Sequence, residues 1–152
     1  MKVYLVRHGQ AKAKDADPDR HLSSVGISEV KKMAAFIKPL DLQLSSIWHS
    51  RKARARETAE ILLHAVSSEE GLVERSDLAP NDEIKPIARE ISQLDSDIMI
   101  VGHLPFMSCL ASYLLVGKEV PEIILFQTAA IACLERDDDN SWMLHWLLQP
   151  HL

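Results

Sequence analysis

Val3-Tyr4-Leu5-Val6-Arg7-His8-Gly9 is the stretch whose reading decides the fold: four apolar residues run straight into an arginine, a histidine and a glycine. A continuous apolar run with β-branched members predicts a central strand of an α/β sheet. The polar residues then fall at the strand's carboxyl end, where open α/β sheets place their ligand sites. Gly9 lets the backbone leave that end sharply and lets a ligand approach closely. Taken alone, Arg7 and His8 serve equally well as the start of an ordinary loop. The balance shifts because the design recurs. Ile98-Met99-Ile100-Val101 is another buried-strand run, and it ends in Gly102-His103-Leu104-Pro105. A third junction, Ile47-Trp48-His49-Ser50, passes into the basic opening of a helix, Arg51-Lys52-Ala53-Arg54-Ala55-Arg56-Glu57-Thr58. Parallel strands linked by helices bring these three ends to one side of the sheet.

The chain of 152 residues, 47% hydrophobic, suits one domain over 1–152 with a single core. A net charge of -5 argues against nucleic acid as the main partner. No stretch is long and apolar enough to span a bilayer, and Arg7 and His8 interrupt the only candidate for a leader. Membrane is therefore not an expected partner. Cys109 and Cys133 stand apart in apolar surroundings and read as small core residues in a reducing, cytoplasmic setting, with a disulfide between them as the lesser alternative. No group of His, Cys, Asp or Glu shows metal-ligand spacing, so neither metal nor other cofactor is expected.

Ala11 to Arg20, with Asp17-Pro18-Asp19, has turn chemistry and could fold back over the active end. Ser23 or Ser24 caps a helix with Val30, Met33, Ala34 and Ile37 at helical spacing, which Pro39 stops. Leu44 to His49 is predicted as a strand, and Ala53 to Ala65 as a helix. Leu72 to Arg75 is expected as a short edge strand. Ile84, Ile87, Ala88, Ile91 and Leu94 mark a helix that tolerates Pro86 in its first turn. Pro105 opens a further helix with Met107, Leu110, Ala111 and Leu114, which Gly117 ends. Three runs remain, Ile123 to Phe126, Ala130 to Glu135 and Trp142 to Leu148, the last two separated by the hairpin loop Asp137-Asp138-Asp139-Asn140. Three adjacent aspartates lack the spacing of an EF-hand and read as a solvated turn.

Arg-His-Gly after the first strand, Ser-x3-Arg-Ala-x2-Thr at Ser50 to Thr58 and Gly-His-Leu-Pro at Gly102 to Pro105 together resemble the histidine phosphatase superfamily, the phosphoglycerate-mutase-like enzymes. Arg20-His21-Leu22-Ser23-x2-Gly26, similar to Arg-Pro-Leu-Thr-x2-Gly, and Thr128-Ala129-Ala130-Ile131-Ala132 point to the SixA-type branch of phosphohistidine phosphatases. Gln10, where that branch often has an acidic residue, and His21, where it has proline, depart from the pattern. The resemblance implies a three-layer α/β sandwich with a mostly parallel central sheet flanked by helices. It also implies a metal-independent phosphatase working through a covalent phosphohistidine.

Phosphoryl transfer needs cationic, well-aimed donors and an in-line nucleophile. His8 is the expected nucleophile, neutral because surrounding arginines disfavour its protonated form. Arg7 and Arg54 are the expected phosphate clamps, with Arg51 and Arg56 competing for the second role, which register awards to Arg54. The resemblance to the SixA-type branch implies Arg20 as a third phosphate donor; otherwise it is a surface partner of Asp17 or Asp19. His103 is expected to donate to the phosphoryl oxygens. His49 reads as a supporting residue, while His21, His64, His145 and His151 read as surface or packing residues. Asp82 or Glu83 could be a general acid, or could simply favour a helix dipole.

Larger superfamily members insert helices between the second helix and the second histidine strand. Only about thirty residues, already used by a strand and a helix, lie there in this chain, so the site is expected to be open. Openness and weak acid machinery favour a phosphorylated protein as substrate, a histidine phosphotransfer domain or similar. The alternatives are a small-molecule phosphomonoesterase acting on a sugar or nucleotide phosphate, and a phosphoprotein-binding module without turnover.

Overall fold

The computed structural model describes residues 1–151. The opening apolar run forms β1 (Lys2–Arg7), and the two other expected histidine-bearing strands form β3 (Ser46–Ser50) and β6 (Ile98–Gly102). With β5 (Leu72–Arg75), β7 (Ile131–Arg136) and β8 (Trp142–Leu148) they build a six-stranded sheet in the order β5-β3-β6-β1-β7-β8. The first four of these strands are mutually parallel, and β7 and β8 pair antiparallel at the far side. Two short strands, β2 (Gln43–Leu44) and β4 (Ser67–Ser68), pair with each other outside this sheet.

Alternation along β1 sets the layers. Val3 and Leu5 point to one face, against α3 (Lys85–Ser92) and α4 (Phe106–Val116), where Ile87, Ile91, Phe106 and Leu110 are buried. Tyr4 and Val6 point to the other, against α1 (Ser24–Ile37) and α2 (Ala53–Leu63), with Val30, Met33, Ala59 and Leu62. Since side chains alternate across a strand with period 2, a strand apolar at every position is buried on both faces. Each such Val, Leu or Ile contributes roughly 1.5–3 kcal/mol of burial. The result is a three-layer α/β sandwich.

Ser23, of the two candidate caps, closes α1, accepting the Gly26 N–H at 3.0 Å. Pro39 does not end the chain's coiling abruptly; Lys38–Leu40 continue as a 3-10 turn with the proline in its first positions. Gly117 adopts the left-handed conformation that caps α4. The segment Ile123–Phe126 is not a strand. Its backbone is satisfied by side chains instead of a ladder: the Leu125 carbonyl accepts from Gln149 Nε2 and the Phe126 carbonyl from Arg7 Nη1. Cys109 and Cys133 are unpaired, the latter fully buried in β7. No helix of the described residues is long and apolar enough to cross a membrane.

Candidate active site

The parallel strands β1, β3 and β6 end side by side, and each end is fastened to its neighbour. His8 N–H donates to the Gly102 carbonyl at 2.9 Å, directly linking the two histidine junctions. Ala129 N–H donates to the Arg7 and His8 carbonyls. Gly9 N–H donates to Thr58 Oγ1 at 3.0 Å, and that hydroxyl donates to the Arg54 carbonyl at 2.8 Å. Thr58 thus couples the turn after β1 to the first turn of α2. Gly9 serves close packing here: a Cβ on it would lie 2.7 Å from Val30 Cγ2.

Across this platform the His8 and His103 rings stand 5.0 Å apart between centroids, inclined at 57°. Each ring has one nitrogen committed. His8 Nδ1 lies 2.7 Å from the Gly9 carbonyl, which can only accept, so Nδ1 carries the proton and Nε2 keeps a free lone pair. His103 Nε2 lies 2.5 Å from Ser50 Oγ. That hydroxyl already accepts the Lys52 N–H at 3.3 Å, so its own proton is free for Nε2. His103 is then protonated at Nδ1, the same tautomer as His8, but with Nδ1–H rather than Nε2 left free.

Burial, then Arg54, Arg7 and Arg20, push the His8 pKa from 6.5 down to about 4, against the opposing hydrogen bond to Gly9. His103 falls to about 3 through burial first, then His8, Arg54, Lys52 and Arg20. Both rings are neutral near pH 7. Burial also lowers the pKa of Arg7 and Arg54, which stay charged. Three buried nitrogens here, Arg7 Nε, Arg54 Nε and His103 Nδ1, have no protein partner among the described residues. Buried donors are normally satisfied, so the three together fit a bound tetrahedral oxyanion.

Arg20 is not paired with Asp17 or Asp19. Its Nε donates to the Lys12 carbonyl, its backbone is left-handed at φ 50°, and its charge acts on both histidines and on Arg54. The turn that presents it is held by Asp17, which accepts from the backbone N–H of His21 and Asp19 and contacts the His21 ring at 2.8 Å. His21 therefore has a structural task that its sequence context did not reveal. Leu22 N–H donates to Glu57 Oε1, tying this segment to α2. Folding also gathers ligand atoms of Asp17, Asp19 and His21 within 4.8 Å, a grouping that chain spacing did not show, but Asp17 is already engaged by those internal bonds.

Arg51 and Arg56, the competitors of Arg54, lie beside Glu74 and Glu60 respectively at 3.8 and 3.5 Å. His49 is buried in β3 with Nδ1 against the Ser50 carbonyl. His145 and His151 contact Glu135 and Glu29, and His64 is exposed. The Asp82 carboxylate closes its own turn by accepting Ala79 N–H at 2.8 Å, and Glu83 is exposed. Sequence reasoning used Ser50 and Thr58 only to fix register and did not assign either a hydrogen-bonding task. It also missed the Phe126 carbonyl, which accepts from Arg7 Nη1 at 2.8 Å. Ser50 and Thr58 were within the quoted motif, whereas a backbone carbonyl leaves no sequence signal.

A mostly parallel sheet whose histidine-bearing ends meet among arginines defines a phosphoglycerate-mutase-like α/β protein. Residues 3–78, half of the chain, match the histidine phosphatase superfamily (branch 1), and the chain belongs to that family as a phosphatase. It is 29% identical over 159 residues to the phosphohistidine phosphatase SixA of Escherichia coli (strain K12), covering 99% of this chain and 94% of that one. It is 30% identical to an uncharacterized protein of Picosynechococcus sp., covering 97% and 99%. A structure of the protein histidine phosphatase SixA complexed with tungstate has the same fold, with TM-score 0.86, 24% identity and coverage of 99% and 97%.

Proposed function

We propose that this phosphatase removes phosphoryl groups from protein histidines through a covalent intermediate on His8. The observation that carries the reading is the free Nε2 lone pair of His8, 5.0 Å ring to ring from His103 and beside the unpartnered donors of Arg7, Arg54 and His103. That SixA was captured with tungstate, a tetrahedral oxyanion, and that the E. coli relative is a phosphohistidine phosphatase, support the same substrate class.

In the first step, His8 Nε2 forms a bond to phosphorus while the substrate's phosphorus–nitrogen bond breaks. The bonding pair returns to the substrate nitrogen. Because that imidazole is protonated on its far nitrogen, it leaves as a neutral molecule without a proton from the enzyme. The positive charge gained by the His8 ring is shared with Nδ1–H, whose bond to the Gly9 carbonyl strengthens. Arg7, Arg54, Arg20 and His103 Nδ1–H hold the equatorial oxygens. Water then attacks phosphorus, His8 recovers its lone pair, and the water's proton leaves on the released phosphate. No metal is assigned a part in either step.

A small-molecule phosphomonoesterase is the second reading, and it needs an acid for an alkoxide leaving group. Asp82, spent on the Ala79 N–H, is poorly disposed for that work. Two unpaired cysteines agree with a reducing, cytoplasmic setting. Quenching turnover at alkaline pH and mapping the phosphoryl group by mass spectrometry should find it on His8, and His8→Asn should lose at least about a thousandfold in rate. A phosphoryl group on any other residue, or normal turnover by the variant, defeats the mechanism. Rapid hydrolysis of sugar or nucleotide phosphates with phosphohistidine proteins untouched defeats the substrate assignment, and loss of alkyl phosphate hydrolysis alone in Asp82→Asn or Glu83→Gln would point to the second reading.

A further inference from the structure

Beside the histidine pair lies a groove of about 560 Å³. One wall is the turn around Lys14 and Arg20, and the other is the start of α2 from Arg51 to Arg56. Six cations line it, Lys14, Arg20, Arg51, Lys52, Arg54 and Arg56, against the single carboxylate of Asp19. This concentration occurs in a chain whose net charge is -5. Lys14 and Lys52 are exposed and have no carboxylate within ion-pairing distance among the described residues. Arg51 and Arg56 are only loosely answered, at 3.8 and 3.5 Å.

The lining also says what kind of occupant suits it. Small-molecule sites are mostly apolar and aromatic, with few polar groups. Here Pro18 and Ala53 are the only apolar residues, so the body of a small ligand has little to bury against. Exposed lysines and arginines spread over two walls instead favour a broad surface of opposite charge, which they steer and orient at long range. Arg20 and Arg54 line the groove and are also among the charges acting on His8, so the groove and the phosphoryl site share two arginines.

We propose that this groove is the docking surface for an acidic protein face that surrounds the phosphohistidine, with Lys14 and Arg51 reading carboxylates on either side of it. The proposal rests on the phosphohistidine reading above and adds the charge of the partner. Pairing across the groove is solvent-exposed, so it acts chiefly on encounter and is screened once the Debye length falls to about 8 Å at physiological ionic strength.

The test uses two peptides of equal length, each with one central histidine phosphorylated by phosphoramidate, one flanked by glutamates and the other by serines. At low salt the enzyme should favour the glutamate peptide by about tenfold in kcat/KM, and added salt should erase the preference. The Lys14→Glu/Arg51→Glu variant should lose or reverse the preference while hydrolysing an aryl phosphate at the wild-type rate, which shows that it is folded. Equal rates on the two peptides at low salt, or a preference that survives in the variant, overturns the docking proposal alone. Failure on both peptides with the aryl phosphate turned over overturns the phosphohistidine reading, and this partner with it.

Discussion

At the scale of single residues, the decisive features are proton positions that side-chain identity does not reveal. His8 and His103 both follow buried strands in the sequence, yet one has Nδ1 committed and the other Nε2. Two histidines in the same Nδ1–H tautomer can divide the work because opposite nitrogens are left free, His8 offering the Nε2 lone pair and His103 the Nδ1–H. Ser50 makes the difference, and it is 2% exposed, so no water replaces it readily. Ser50→Ala should therefore lower kcat about 10–100-fold, the usual effect of losing a group that orients a functional histidine. Nitrogen NMR shifts of the His103 ring should move toward a tautomer mixture in the same variant. An unchanged ring spectrum would show that Ser50 does not set the proton. Arg7, His8, Arg54 and His103 were legible as candidates because each lies at a junction that follows a buried strand, Arg7 as the last residue of β1 and Arg54 in the first turn of α2. The Ser50 contact was not, since it joins residues 53 positions apart.

Among the elements, α1 matters to the site although it carries none of its donors. Its N-terminus is built onto the residue after Gly9: Ser23 N–H donates to the Gln10 carbonyl, and the Ser23 hydroxyl donates to Gln10 Oε1 at 2.9 Å. Gln10, a departure from the acidic residue of the resembled pattern, thereby buttresses the helix cap. Gly26 makes the approach possible, because a Cβ there would lie 2.1 Å from the Gln10 carbonyl oxygen. Gly26→Ala should force α1 and the His8 turn apart, costing about 1–3 kcal/mol of stability. Urea unfolding should show that loss, and kcat/KM for an aryl phosphate should fall further than a folded-fraction correction explains. Wild-type activity in a destabilised variant would separate α1 from the site. Helical spacing foretold α1, α2, α3 and α4, since each buries one face on the sheet. The apolar run Ile123–Phe126, by contrast, forms neither helix nor strand, and side chains of Arg7 and Gln149 take up its backbone carbonyls.

For the whole molecule, holding two imidazoles neutral has a thermodynamic consequence. Both rings bind protons with a pKa of 6.5 when unconstrained, but only at about 4 and about 3 in the fold. Between those values the unfolded chain carries more protons, so stability is full above pH 6.5 and declines as pH falls toward 4. Thermal melts should show a Tm that drops over this window in the wild type and drops less in His8→Asn/His103→Asn. Identical pH profiles would mean that the rings titrate normally. The sequence by itself determined most of the strands and helices of the core, because apolar runs of strand length and helical length can bury their surfaces in few ways. It also determined which residue types stand at the strand ends. Only the tertiary structure decided which nitrogen of each ring is free, that Asp82 is engaged in its own turn, and that cations from two distant segments form one groove. Those outcomes depend on distances between parts of the chain far apart in sequence, and a one-residue change in register would move every one of them.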